Sequence, residues 1–200
     1  MIAVVDIGLS NVNSVGRALT VLRIEHLLTS DPSLLAQADR LILPGVGSFS
    51  EAARRLEATG LKKCIRALVL DHGKPILGIC LGMQLLAEDG EENGKAKGLG
   101  LIKARVQKLR THLRLPHIGW NEVGNRGTSL LADTPDGTCF YFVHSFTMVP
   151  EETVQTATSD HGVEFVAVVQ KHHIIGTQFH PEKSQANGLA LLKRFANHTW

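Results

Sequence analysis

No Cys-x-x-Cys pair occurs in the chain, and its three cysteines, Cys64, Cys80 and Cys139, form an odd set. That argues against a disulfide framework and against a thiolate zinc site. No apolar run approaches the ~20 residues that a membrane span requires; the longest, Ile76 to Ala87, is interrupted by Gly78, Gly82 and Gln84. Large charge of one sign is also missing, since 21 Lys and Arg against 19 Asp and Glu leave +2 with histidines neutral. Spread over a whole domain, this is too little to mark a nucleic-acid binder. No Pro/Gly/Ser-rich linker, internal repeat or low-complexity tract divides the chain. Met1-Ile2-Ala3-Val4-Val5-Asp6 has no basic segment and meets Asp6 too soon for a secretory leader. A cytoplasmic protein with neither membrane nor nucleic-acid partner is expected, and no metal or cofactor motif stands out.

What is present is the composition of a folded domain, 44% hydrophobic and 20% charged over 200 residues, a length that buries roughly 70% of the unfolded chain's surface without a staple. The first half alternates short apolar runs with helical patterns: Ile2 to Ile7, Asn13 to Leu22, Glu25 to Leu28, Leu34 to Ala38, Arg40 to Leu43, Phe49 to Ala58, Leu61 to Leu70, Pro75 to Ile79 and Leu81 to Glu88. This rhythm predicts βαβ units and a parallel sheet. Beyond Gly98 the runs turn β-rich, over Leu101 to Leu109, Gly137 to Val149, Val154 to Ser159, Phe165 to Gln170 and His173 to Phe179, and are read as antiparallel or mixed strands. A last helix is expected from about Gln185 to Asn197, with Leu189, Leu192, Phe195 and Ala196 on one face. The expected architecture is one α/β domain over residues 1–200, an open, mostly parallel or mixed sheet with helices on both faces.

The window Lys74-Pro75-Ile76-Leu77-Gly78-Ile79-Cys80-Leu81-Gly82-Met83-Gln84 reads as a buried strand, then Gly-x-Cys-x-Gly, then a helix. It is the cysteine analogue of the nucleophile elbow. A sharp turn there holds the nucleophile in a strained conformation, and flanking glycines remove side chains that would collide. The sulfur then stands at a helix N-terminus, where the dipole favours thiolate. The simpler alternative, a buried structural cysteine, is the reading for Cys64, inside a helical segment, and for Cys139, at the start of a strand. For Cys80 the choice depends on finding a base.

His180, in Thr177-Gln178-Phe179-His180-Pro181-Glu182-Lys183-Ser184, is that candidate. Side chains two apart in an extended segment project to the same side, so Glu182 can orient its imidazole, with Pro181 stiffening the pair. Pro44-Gly45-Val46-Gly47-Ser48 follows an apolar strand and precedes a helix, where open α/β sheets place ligand loops. Its free N–H groups, with that of Leu81, can stabilise a tetrahedral oxyanion; a plain strand-to-helix turn is the alternative. Pro116-His117-Ile118-Gly119-Trp120-Asn121 and Tyr141-Phe142-Val143-His144-Ser145-Phe146 mix apolar residues with histidine, as a pocket wall or a partner surface does. Arg105, Lys108, Arg110, His112 and Arg114 read as a solvated strand face. Asp89-Gly90-Glu91-Glu92 reads as an acidic loop that keeps Glu92 within reach of the elbow.

With these motifs in order along its whole length, the sequence resembles the class I (triad) glutamine amidotransferases. Gly78 to Gln84, Pro44 to Gly47 and Phe179-His180-Pro181-Glu182 carry the resemblance. Within the family it is most similar to the glutaminase subunits of imidazole glycerol phosphate synthase. That narrower likeness rests on the His-Ile-Gly-Trp-Asn block, on Tyr141 to Ser145, on His180 to Ser184, and on Asp6-Ile7-Gly8-Leu9-Ser10-Asn11 with Asn13-Ser14-Val15. Ser10 stands where glycine is common, and Phe146 where an aromatic hydroxyl is common.

The resemblance implies a flavodoxin-like fold and a Cys80 nucleophile that forms a γ-glutamyl thioester, with His180 as base and acid and Glu182 orienting it. It implies an oxyanion hole of Gly45, Val46, Gly47 and Leu81 backbone, and glutamine held by Gln84, Glu92, His144 and Ser145. It also implies a separate (β/α)8-barrel cyclase chain, faced by Asn11, Ser14, Trp120, Tyr141 and Lys183. That chain uses the ammonia to make imidazole glycerol phosphate and an aminoimidazole carboxamide ribonucleotide in histidine biosynthesis. Other readings stay open at this point: a glutaminase feeding another acceptor synthase, such as pyridoxal phosphate synthase, a non-catalytic regulatory protein that keeps the fold, or a cysteine peptidase or γ-glutamyl hydrolase.

Overall fold

The computed structural model describes residues 1–9, 12–124 and 127–199. Its first half runs β1 (Ile2–Val5), α1 (Val12–Val21), β2 (His26–Thr29), α2 (Pro32–Gln37), β3 (Arg40–Gly45), α3 (Phe49–Ala58), α4 (Leu61–Leu70), β4 (Ile76–Cys80) and α5 (Leu81–Leu85). Two short strands follow, β5 (Asp89–Gly90) and β6 (Ala96–Lys97), and then β7 (Ala104–Lys108), β8 (His117–Val123), β9 (Thr138–His144) and β10 (Phe146–Pro150). The chain closes with β11 (Gln155–Asp160), β12 (Glu164–Lys171), β13 (Ile174–Thr177) and α6 (Gln185–Asn197).

The main sheet has seven strands in the order β11-β12-β13-β4-β3-β1-β2. Its β13-β4-β3-β1-β2 part is parallel, and β12 and β11 add antiparallel strands at one edge. Strand alternation splits the core in two. Ala3, Val5, Leu41 and Leu43 face α2, α3 and α4, while Ile2, Val4, Ile42 and Leu77 face α1 and α6. A four-stranded sheet, β10-β7-β5-β6, and a β8-β9 hairpin flank the main sheet. The α/β architecture with helices on both faces is as expected. Among the described residues no helix is long and apolar enough to cross a membrane.

Three elements differ from the sequence reading. The helix expected to reach Glu88 stops at Leu85. The Leu86 and Ala87 amides bond three residues back, and the carbonyls of Leu85, Leu86 and Ala87 accept N–H groups of Leu99, Leu101, Ile102 and Gly100 instead of continuing the helix. The run Gly137 to Val149 is two strands, because the chain changes sheets at Ser145: β9 pairs with β8, and β10 with β7. Strand β8 leaves no periodic signal in the sequence, since its inward positions are His117, Gly119, Asn121 and Val123, a set without an apolar alternation. Cys139, read as structural, is exposed, and Cys64 is half-buried.

Candidate active site

Strand β4 delivers Cys80 into the turn that starts α5, at φ 55° and ψ −110°, a backbone conformation that costs on the order of 1–3 kcal/mol for a residue with a side chain. Its neighbours explain the glycines on either side. A Cβ on Gly78 would stand 2.6 Å from the Gly82 carbonyl oxygen and 2.7 Å from Met83 Cα, and one on Gly82 would run into the Leu43 carbonyl. The elbow is therefore a close approach of three backbones, β3, β4 and α5, that any side chain at those two positions would force apart.

Cys80 is 7% exposed. Its sulfur lies 3.8 Å from the Val143 carbonyl oxygen and 3.8 Å from the Gln178 side-chain amide. His180 is buried, and its Nδ1 lies 2.8 Å from Glu182 Oε1, with both side chains 3% exposed. The pairing arises differently from the expected extended segment: β13 ends at Thr177, and a 3-10 turn over Pro181–Lys183 brings Glu182 back beside the imidazole. Ser184 locks this turn, donating to the His180 carbonyl at 2.7 Å and accepting the Tyr141 N–H at 3.0 Å. His180 Nε2 and Glu182 Oε2 are buried without a hydrogen-bond partner. Burial works against a charge on His180, but the Cys80 sulfur and then the Glu182 carboxylate outweigh it and push the imidazole up to about 10. A dyad held this way favours an imidazolium beside the sulfur.

In front of Cys80 lies a pocket of about 210 Å³, lined by residues that include Val46, Gly47, Leu81, Gln84, Glu92, His144, Ser145 and Phe146. The four residues singled out for glutamine are thus brought together with Cys80. Glu92 is the only charged side chain among the lining residues. Its Oε2 accepts the Phe49 N–H at the start of α3, at 2.9 Å, and burial raises its carboxyl above the usual range although that bond opposes the shift. Burial also drives His144 down to about 4. Gln84 donates to the Phe146 carbonyl at 3.0 Å and to Gln178 Oε1 at 3.1 Å. Phe146 takes the Gln84 bond through its backbone oxygen, so the absence of a side-chain hydroxyl there removes none of these bonds.

The loop after β3 departs from expectation in one respect. The Val46 N–H is not free: it donates to the Leu9 carbonyl at 3.1 Å. Gly47 has φ +97° and Val46 is 42% exposed.

Trp120, 48% exposed, packs edge-on against Tyr141, and Lys183 Nζ sits 5.9 Å over the Tyr141 ring, so these three form one patch. Ser14 lies on α1, in a separate cleft of about 360 Å³ that Glu182 and Gln185 also line. Asn11 and Ser10 lie outside the described residues. Among the described residues no group of three or more His, Cys, Asp or Glu is placed to hold a metal. Sequence reasoning passes over Gln178 and places His117 and Asn121 only in a block read as a pocket wall or a partner surface; Gln178 adjoins the His180 motif, but its partner sulfur is distant in sequence.

Residues 3–199 match the sequence model of the family described as glutamine amidotransferase class-I. A Moorella thermoacetica protein named imidazole glycerol phosphate synthase subunit HisH is 45% identical over 196 residues, 97% of this chain and 93% of its own length. The protein of that name from Streptococcus sanguinis is 44% identical over 100% of this chain and 97% of its own. Among solved structures, a putative GMP synthase component from Thermoplasma acidophilum is 25% identical, with TM-score 0.74, covering 98% of this chain and 91% of its own. A glutamine amidotransferase at 19% identity has TM-score 0.76 and covers 96% of both chains, which speaks to the fold alone.

Proposed function

The chain belongs to the class I glutamine amidotransferases, and on that premise we propose that, as one amidotransferase domain, it is the glutaminase subunit of an imidazole glycerol phosphate synthase. The observation that carries the chemistry is Cys80 at φ 55° in front of a buried imidazole whose far nitrogen is held 2.8 Å from a carboxylate. The kinship to proteins named imidazole glycerol phosphate synthase subunit HisH, at 43–45% identity across nearly the whole chain, supports the choice of synthase.

The Cys80 thiolate attacks the side-chain carboxamide carbon of glutamine, forming a C–S bond and placing negative charge on the amide oxygen. Backbone N–H groups of Leu81 and of the Gly45–Val46–Gly47 loop stabilise that charge. His180, protonated and oriented by Glu182, gives its Nε2 proton to the departing nitrogen; ammonia leaves and a γ-glutamyl thioester remains. Neutral His180 then takes a proton from water as the water oxygen attacks the thioester, and returns it to the sulfur as glutamate departs. Glu92 offers the carboxylate that suits the α-ammonium of glutamine, and Gln84, His144 and Ser145 shape the remaining wall.

Ammonia passes to a (β/α)8-barrel cyclase partner in the cytoplasm, which consumes it in histidine biosynthesis. The partner docks over Ser14, Trp120, Tyr141 and Lys183, and the resemblance adds Asn11 to that face. Because Val46 spends its N–H on Leu9, the isolated chain is a poor glutaminase, and docking frees that donor. Glutamate production by the chain alone, and then with the cyclase partner and its nucleotide substrate, tests this, with Cys80→Ser as control. Strong activation that disappears in Cys80→Ser is expected; full activity in the isolated chain contradicts the docking argument, and turnover by Cys80→Ser contradicts the mechanism.

A further inference from the structure

A buried hydrogen-bond network surrounds the Phe146 carbonyl, and its proton positions follow from that one acceptor. His144 Nδ1 lies 2.9 Å from this oxygen, so Nδ1 carries the hydrogen. A neutral His144 then has only Nε2 to accept with, and His117 Nδ1, 3.0 Å away, is the donor. His117 in turn accepts at Nε2 from Asn121 Nδ2 at 3.3 Å, and the same amide donates to the Asp160 carbonyl at 2.6 Å. Both imidazoles are held neutral, each pushed down to about 4 chiefly by burial. The rings around them are Phe142, Phe165 and His161, the last stacked on His117 at 4.2 Å.

On the other side of the same oxygen stands Gln84. Its Nε2 must face Phe146, because a side-chain oxygen there would repel the carbonyl, and its second hydrogen goes to Gln178 Oε1. Gln178, fully buried, is thereby left with only one orientation, its Nε2 directed at Cys80 Sγ 3.8 Å away. No step of this assignment is free once the Phe146 carbonyl is in place.

We propose, resting on the glutaminase reading above, that His117 and Gln178 are positioning residues of that reaction: His117, donating to His144 Nε2, holds the ring whose Nδ1 clamps the pocket wall at Phe146, and Gln178 presents a donor to the Cys80 sulfur. The strand that carries His117 and Asn121 inward carries Ile118, 60% exposed, and Trp120 outward. One strand therefore links the patch around Trp120 to the wall of the glutamine pocket, and through Gln84 and Gln178 to the nucleophile.

Two measurements on the full chain test this. The first is alkylation of Cys80 by iodoacetamide across pH, read on the Cys80 peptide by mass spectrometry, which needs no glutamine. In Gln178→Leu the pH at which alkylation sets in is expected to rise by about one unit, the effect of one lost donor to a charged sulfur. Gln178→Glu, of the same shape, is expected to shift it further and keeps the test open if the leucine variant does not fold. Coincident curves in wild type and both variants would overturn the role of Gln178. The second is the KM for glutamine with the cyclase partner present. His117→Phe is expected to raise it about tenfold with kcat within about twofold, and His117→Asn, whose amide replaces the Nδ1 donor, to restore it. Equal behaviour of the two variants would overturn the role of His117. Absence of glutamate formation by wild type would instead strike the glutaminase reading, leaving the alkylation result to stand by itself.

Discussion

A methyl group added at Gly82, in the elbow, would run into the Leu43 carbonyl, whereas one added at Gly119, in the β8-β9 hairpin, would meet nothing within 4 Å. The two regions differ throughout in this way. The elbow is fixed by backbone packing between adjacent core strands and a short helix, which holds Cys80 at its positive φ. The hairpin is held by its β8-β9 ladder and, on its inner face, by the His117–His144 pair, the Asn121 amide and stacked rings, and it presents Ile118 and Trp120 to solvent. Cys80 thus rests on packed backbone, whereas the pocket wall at Phe146 rests on side-chain hydrogen bonds.

The largest expected effect sharpens the first half of the comparison. Glu182→Gln leaves the elbow intact and removes the charge that orients His180, so kcat for glutamine is expected to fall by about ten-thousandfold; a small loss would mean that the dyad is structural. Gly82→Ala is expected next, destabilising the chain by about 4 kcal/mol or more through the clash with β3, against about 1 kcal/mol for Gly119→Ala, whose φ of +139° is the only obstacle. Denaturant midpoints measure both, and equal values would erase the distinction between the regions.

Acid separates the regions again. His144, faced by His117, His161 and His180, is held neutral down to about 4 from an ordinary 6.5. The unfolded chain takes up that proton near 6.5 and the folded one does not, so stability falls as pH drops below about 6.5, and the loss is complete near 4. It is on the order of 3 kcal/mol for this residue. Midpoints at pH 7 and pH 4.5 are expected to show the loss in wild type and a flatter profile in His144→Gln; parallel profiles would break the argument. The smallest effect is that of Trp120→Ala, expected to weaken partner binding by about 2 kcal/mol while leaving stability within about 0.5 kcal/mol; calorimetric titration with the cyclase checks it.

Legibility in the sequence follows the same division. Gly78-Ile79-Cys80-Leu81-Gly82 is local, since its strand, turn and glycine spacing all lie within one window, and the bounds of α3, α4 and α6 agree with their periodicity. His180 and Glu182 are also close in sequence, although a 3-10 turn and not an extended segment joins them. The network around Phe146 is hidden because it depends on register. His117 stands opposite His144 only through the β8-β9 pairing, and Gln178 reaches Cys80 across 98 residues of sequence. The engagement of Val46 by Leu9 is equally invisible, since a backbone donor leaves no mark in residue type.

The central claim is that Cys80 is the residue acylated by glutamine. Rapid acid quench of the chain turning over glutamine with its cyclase partner, followed by peptide mass spectrometry, tests it most directly. A γ-glutamyl adduct on the Cys80 peptide, absent in Cys80→Ser, is the predicted result. Undiminished glutamate formation with no adduct on Cys80, or an adduct on another residue, would contradict the account.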